Sequence, residues 1–200
     1  MADENAAVEE HKTSLAVWDI DSPVVISRSA RVKIGAKCTA GCALTDHEVE
    51  VHDASGARIA RAGLSATPWP GTAGLYWAEL EFPAPSALGP HTWTVTSAHG
   101  DASSTFTFIT VPPPEHTLTI RVRDKEGQAP LAGAEVRLGV YRTQSDESGT
   151  ATIELPAGSY NLGVWKVGYD VFSTAMEVSN SMTVDVEIPL EPEPEQKYWM

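Results

Sequence analysis

Between residues 15 and 190 apolar side chains return at every second position in short runs, and the 3.6-residue period of an amphipathic helix is hard to find. In "LYWAELEF", Tyr76, Ala78, Leu80 and Phe82 share one face, with Leu75, Trp77, Glu79 and Glu81 opposite. "STFTFITV" sets Phe106 and Phe108 together, and "HTWTVTS" sets Trp93 and Val95 against a row of threonines. In "LTIRVRD", Leu118, Ile120 and Val122 point one way and Arg121 and Arg123 the other. This period suits strands with one face on a core and one in water, so the predicted class is all-β.

Three consecutive prolines, Pro112 to Pro114, interrupt the pattern. They cannot donate ladder hydrogen bonds and favour an extended, semi-rigid chain, which makes a natural boundary. The organisation read from the sequence is an acidic N-terminal tail over 1–14, a β-sandwich over 15–112, a Pro-rich linker over 113–115, a second sandwich over 116–190, and a Glu/Pro tail over 191–200. The 200 residues, 42% apolar and 20% charged, suffice for two small cores.

Both tails are read as flexible. The N-terminus carries four acids before its first lysine, and "EPEPEQ" alternates charge with proline. The chain then ends on Tyr198, Trp199 and Met200, an apolar finish that reads either as an end folded on its own sandwich or as a docking peptide for another chain. The net charge of −13 is spread along the whole length and disfavours nucleic acid and anionic membrane surfaces. With no apolar leader after Met1 and no run of about 20 apolar residues, the expectation is a cytoplasmic protein that does not insert in a membrane.

From Pro130 to Pro189, "GAEVRL", the turn "SDESG" opening "TATIELPAG", and "SYNLGVWKVGY" together resemble the carboxypeptidase regulatory-like domain, a seven-stranded sandwich of the transthyretin-like kind. Gly149 and Gly158 are expected at positive φ, Asp146 and Ser148 to satisfy turn amides, and Val136, Leu138 and Val140 to point inward, as are Met182, Val184, Val186 and Ile188. The resemblance implies a rigid, non-catalytic module beside a larger protein. Transthyretin-like enzymes that hydrolyse hydroxyisourate use several histidines and a C-terminal Tyr-Arg-Gly-Ser; here His116 is the one histidine beyond residue 99 and the chain ends "KYWM". A pilin-type isopeptide module needs an inward lysine where this first strand offers Leu118, Ile120 and Val122. Residues 15–112, with short strands and turns such as "DASGA", look like an immunoglobulin-like sandwich, with sheet pairing open.

One stretch invites a chemical reading. "CTAGCALTDHEVEVH" holds Cys38, Cys42, His47 and His52, all ligand types for zinc. Yet His47 and His52 stand about 16 Å apart on opposite faces of an extended strand, beyond the reach of one ion. The expectation is therefore no metal and no cofactor, with Cys38 and Cys42 as packing thiols or as a pair able to form a disulfide. His11, His91, His99 and His116 are scattered, no nucleophile elbow or phosphate loop appears, and no catalytic residue is assigned.

The remaining candidates are aromatic. Trp69 lies between two prolines in a loop, and Trp77 and Trp165 fall on outward strand faces. Outward tryptophans are covered by their own chain, anchor a protein interface, or stack on sugars. The predicted function is a non-catalytic accessory or structural subunit that packs on a larger protein through Trp69, Trp77, Trp165, Tyr198, Trp199 and Met200. The alternative is a carbohydrate or cell-surface binding module using exposed tryptophans.

Overall fold

The alternation resolves into fifteen strands in the computed structural model of the chain, which describes residues 11–98 and 102–192. No helix among the described residues is long and apolar enough to cross a membrane. The chain divides between Val111 and Pro112 into two compact units.

In the first unit, β1 (Thr13–Trp18), β3 (Ser29–Cys38) and β6 (Tyr76–Pro83) form an antiparallel sheet with β3 in the middle. A second sheet runs β2 (Val24–Val25), β8 (Ser103–Val111), β7 (Gly89–Ser97), β4 (Glu48–His52) and β5 (Arg58–Gly63) in that spatial order. Read as immunoglobulin strands, these are A, B and E against A′, G, F, C and C′. The pairing that the sequence left open is therefore the immunoglobulin arrangement without a D strand.

The two sheets share one core. Val32, Ile34, Leu80 and Phe82 from the first sheet meet Val49, Val51, Trp93, Val95, Phe106 and Phe108 from the second, all buried. Each sits at the inward position that period two assigns, and at about 1.5–3 kcal/mol per large side chain such burial is the main force holding the unit together. Thr13 and Ser14, placed by the sequence in the N-terminal tail, instead open β1, because their backbones pair with Cys38 and Lys37 of β3.

In the second unit, β9 (His116–Asp124) is the centre of a three-stranded sheet between β12 (Thr150–Leu155), antiparallel to it, and β15 (Met182–Ile188), parallel to it. The facing sheet has the order β11 (Tyr141–Gln144), β10 (Glu135–Leu138), β13 (Gly158–Trp165) and β14 (Phe172–Val178). Leu118, Ile120, Ile153, Leu155 and Val186 pack on Val136, Leu138, Leu162 and Val164.

Two inward assignments and one turn assignment end differently. Val140 is exposed because the strand stops at Leu138 and Gly139, at φ +60°, opens a two-residue hairpin turn. Met182, at the tip of β15, is also exposed. Gly158 starts β13 at φ +158°, close to fully extended, whereas Gly149 does occupy the left-handed region at +74°.

Both units use one turn chemistry, Asp-X-Ser-Gly. Asp146 Oδ1 accepts from Ser148 N at 2.9 Å, Ser148 Oγ at 2.6 Å and Thr150 N at 3.0 Å. Asp53 Oδ1 accepts from Ser55 N at 2.8 Å, Ser55 Oγ at 2.6 Å and Ala57 N at 3.0 Å. These donors, the serine hydroxyl foremost, hold both carboxyls below the ordinary value of 3.8. A carboxyl lowered by folding stabilises above its unfolded pKa, and that contribution disappears as pH falls through the folded value. We expect the urea midpoint to drop between about pH 5 and pH 2. The Asp53→Asn/Asp146→Asn double variant, which keeps the acceptor oxygen, should show a shallower drop; an acid limb identical to the wild type would exclude these turns as its source.

Candidate functional site

The grouping with the most chemical potential forms where β1 meets β3. The register Thr13↔Cys38 sets the residues just before β1 beside the turn that leaves β3. Two backbone contacts fix this approach: Thr39 N donates to Lys12 O at 2.9 Å, and Lys12 N donates to Thr39 Oγ1 at 3.3 Å. The turn closes by Gly41 N donating to Cys38 O at 3.1 Å, with Gly41 at φ +74°, a conformation glycine adopts without strain.

This geometry gathers His11, Cys38 and Cys42 so that one ligand atom from each lies within 4.8 Å of the others. His11 Nδ1 and Cys42 Sγ are 3.0 Å apart. Cys38 is buried, Cys42 half-buried and His11 exposed, and both cysteines are free thiols. Backbone amides, that of Cys42 foremost and also those of Ala40 and Gly41, together with the Cys42 thiol, pull the Cys38 thiol below its ordinary value. The Cys42 thiol, donating to Cys38 and partly buried, is pushed up.

His11 is thus not scattered, and the chemically capable side chains do converge. The histidine beside the two cysteines is His11, and neither His47 nor His52 joins them. His47 precedes β4 and is not part of this group, while His52 faces outward, with Nε2 3.3 Å from Glu50 Oε2 and Nδ1 3.3 Å from Gly56 O. The outward carboxylates of β4 are also engaged: Glu48 pairs with Arg61, and Glu50 with Arg58 at 2.8 Å. His91 is structural, stacked on Phe108 with Nε2 3.0 Å from Ala87 O. His99 lies outside the described residues.

Trp69 and Trp77 are placed together, with Trp18 as a third member that sequence reasoning missed. Trp69 stands edge-on to Trp18 at 5.4 Å and to Trp77 at 4.9 Å between ring centroids. Gly35 makes room for this packing, since a Cβ there would come within 2.8 Å of both Trp18 and Leu75. Lys33 sits over Trp69 at 5.7 Å, and all three indoles are half-buried. Their faces are thus largely engaged by one another, and the loop carrying Trp69 covers the outward tryptophans of its own sheet.

Trp165 has a different setting. It ends β13 on the outward face, 46% exposed, and leads into a loop where Val167 is 78% and Val171 70% exposed. Between these valines Tyr169 turns inward against the core, its hydroxyl on the side of the Asp124 carboxylate, and its backbone bridges to Leu190, itself 55% exposed. Gly127 N and Tyr169 keep the Asp124 carboxyl below the ordinary range, and Lys166 Nζ donates to Ala132 O at 2.6 Å. Glu191 N donating to Gly168 O at 3.0 Å closes the bridge. The loop is therefore anchored by its polar and aromatic members while its valines face solvent. Tyr198, Trp199 and Met200 lie outside the described residues.

Seven strands in two sheets, the Asp-X-Ser-Gly turn and this loop make up the second unit. Residues 117–191 match the family model of the carboxypeptidase regulatory-like domain. The regulatory-like domain thus opens at the second residue of β9 and ends just past the Leu190 bridge. No curated protein matches the chain.

Among solved structures, the chain is similar to the TIE protein of Bacillus anthracis at 10% identity and a TM-score of 0.32, covering 95% of this chain and 42% of that one. The major pilin subunit of Bacillus cereus gives 12% identity and 0.31, covering 90% and 70%. The CARDB domain of a Pyrococcus furiosus protein gives 14% identity and 0.36, covering 51% and 88%. At such values the likenesses carry no argument about activity or partners, and the fold rests on the strand order of the chain itself.

Proposed function

We propose that the protein is a non-catalytic accessory module whose regulatory-like domain docks on a larger protein through Trp165, Val167, Val171 and Leu190. The observation that carries this reading is that four large apolar side chains of one bridged loop region stand between 46% and 78% exposed, on a backbone fixed by Tyr169 and Lys166. Single exposed apolar residues are ordinary on protein surfaces, whereas groups of them held on ordered backbone mark interaction sites. Ordering beforehand also lowers the entropy lost on association. The match over residues 117–191 supports the reading, since the resemblance to that family implies a rigid module beside a larger protein.

The carbohydrate alternative is less well supported. It requires open indole faces at Trp69 and Trp77, and these rings pack edge-on with Trp18.

The test is affinity capture from the native host with the full tagged chain, followed by quantitative mass spectrometry. A stoichiometric larger protein should be recovered, and Val167→Asp/Val171→Asp should reduce its recovery at least tenfold, as loss of a hot spot worth about 2 kcal/mol or more requires. Because both side chains are exposed, the melting temperature of the variant should stay within the small range of surface substitutions. Equal recovery by the variant would remove this face as the docking site.

A further inference from the structure

The first unit carries a grouping that docking by the regulatory-like domain does not use. We propose that His11, Cys38 and Cys42 are the three protein ligands of a single zinc(II) ion whose fourth position is taken by water. This inference is independent of the docking reading, since it concerns other residues in the other unit.

The donor set selects the class of cation. Two sulfurs and an imidazole nitrogen suit a borderline-soft ion, while calcium and magnesium require oxygen ligands. The spacing is close to what zinc needs: bonds of about 2.0–2.3 Å in a tetrahedron set ligand atoms about 3.3–3.8 Å apart. Here the three atoms already lie within 4.8 Å of one another, with His11 Nδ1 and Cys42 Sγ at 3.0 Å. Only small side-chain rotations separate this arrangement from coordination.

The scaffold is built before any ion arrives. Cys38 is the last residue of β3, buried; Cys42 follows a closed turn; His11 is held by the two contacts between Lys12 and Thr39. Exposure rises from Cys38 through Cys42 to His11, so the open coordination position faces solvent on the histidine side. Binding breaks two S–H bonds heterolytically; both electron pairs go to zinc, both protons to the buffer, and the site ends with no net charge. No oxidant is consumed, which separates this outcome from a Cys38–Cys42 disulfide.

The full chain, purified in reductant without chelator, should hold one equivalent of zinc by elemental analysis. Cobalt(II) in its place should give a thiolate-to-cobalt charge-transfer band and the visible bands of a tetrahedral ion. His11→Gln and Cys42→Ser should each weaken cobalt and zinc binding by more than about tenfold, since removing even an outer partner of a metal ligand costs about 10–100-fold. His52→Gln should leave binding unchanged. Cys38 is buried and its replacement endangers folding, so the exposed His11 decides the matter. Cobalt bound without the thiolate band, or His11→Gln binding as tightly as the wild type, would overturn the assignment.

Discussion

Replacing Gly149 by alanine should strongly destabilise the second unit while leaving the first intact. Gly149 has φ +74°, where an L side chain costs about 1–2 kcal/mol. The added Cβ would also lie 2.6 Å from Val122 O and 3.0 Å from both Leu131 N and Pro130 Cβ. Two of these are backbone atoms that cannot rotate aside. Val122 N donates to Gly149 O at 2.8 Å and Leu131 N donates to Val122 O at 3.0 Å, so relief of the overlap strains the ladder at the centre of the unit. Overpacking of this kind costs about 1–3 kcal/mol, which brings the expected loss to roughly 2–5 kcal/mol. At about 4–8 °C per kcal/mol for a unit of this size, the melting temperature should fall by ~10 °C or more. Gly133→Ala is the control: φ is +68°, but nothing lies within 4 Å of its Cβ, so only the backbone part of the loss should appear. Hydrogen exchange resolved by peptide should show β9 and β12 losing protection while β3 and β6 keep theirs. Equal losses for the two variants would mean that the crowding around Gly149 relaxes freely.

That same glycine shows what a local reading captures. Its place after Asp-X-Ser was legible because a turn is decided by four or five neighbours, and period two assigned the inward faces of β6, β7, β8 and β9 for a similar reason: successive side chains on a strand must alternate. Failures occur where a strand ends. Val140 keeps the phase of Val136 and Leu138 but falls beyond the last ladder pair, in the turn that Gly139 opens. Thr13 and Ser14 carry no apolar signal, and they become strand through β3, a partner more than twenty residues away.

The candidate sites divide along the same line. Trp165 was recoverable from alternation alone. Val167 and Val171 were not singled out, although "KVGYDV" breaks the alternation around a glycine and so signals a loop that cannot bury both valines. His11 illustrates the harder limit. Nothing near it in sequence suggests a partner, and proximity to Cys38 depends on the antiparallel register of β1 on β3, a long-range choice made by the whole core. The spacing of Cys38, Cys42, His47 and His52 was the louder signal, and it was misleading because two of its four members belong to the next strand region.

Truncating Phe82 to alanine should be the most damaging single core change in the first unit. Phe82 is 1% exposed on β6 and reaches across the sandwich to Trp93, Phe108 and Phe106 at 4.9, 5.5 and 6.2 Å between ring centroids. Those three rings also touch one another, so none can swing into the vacated space without leaving a neighbour. A site that cannot collapse leaves a cavity, and the loss should approach the upper part of the range of about 3–5 kcal/mol for Phe→Ala. That is a large share of a typical total stability of about 5–15 kcal/mol. Phe82 pairs with Ala30 of β3, the strand whose far end holds Cys38, so loosening here should raise hydrogen exchange along β3 and β1. Leu88→Ala, at an exposed position, should change stability by no more than about 0.5 kcal/mol. Urea unfolding followed by near-ultraviolet circular dichroism reports on the aromatic cluster directly. A loss below about 1.5 kcal/mol, the range of a volume-conserving swap, would show that the four rings do not act as one packed unit.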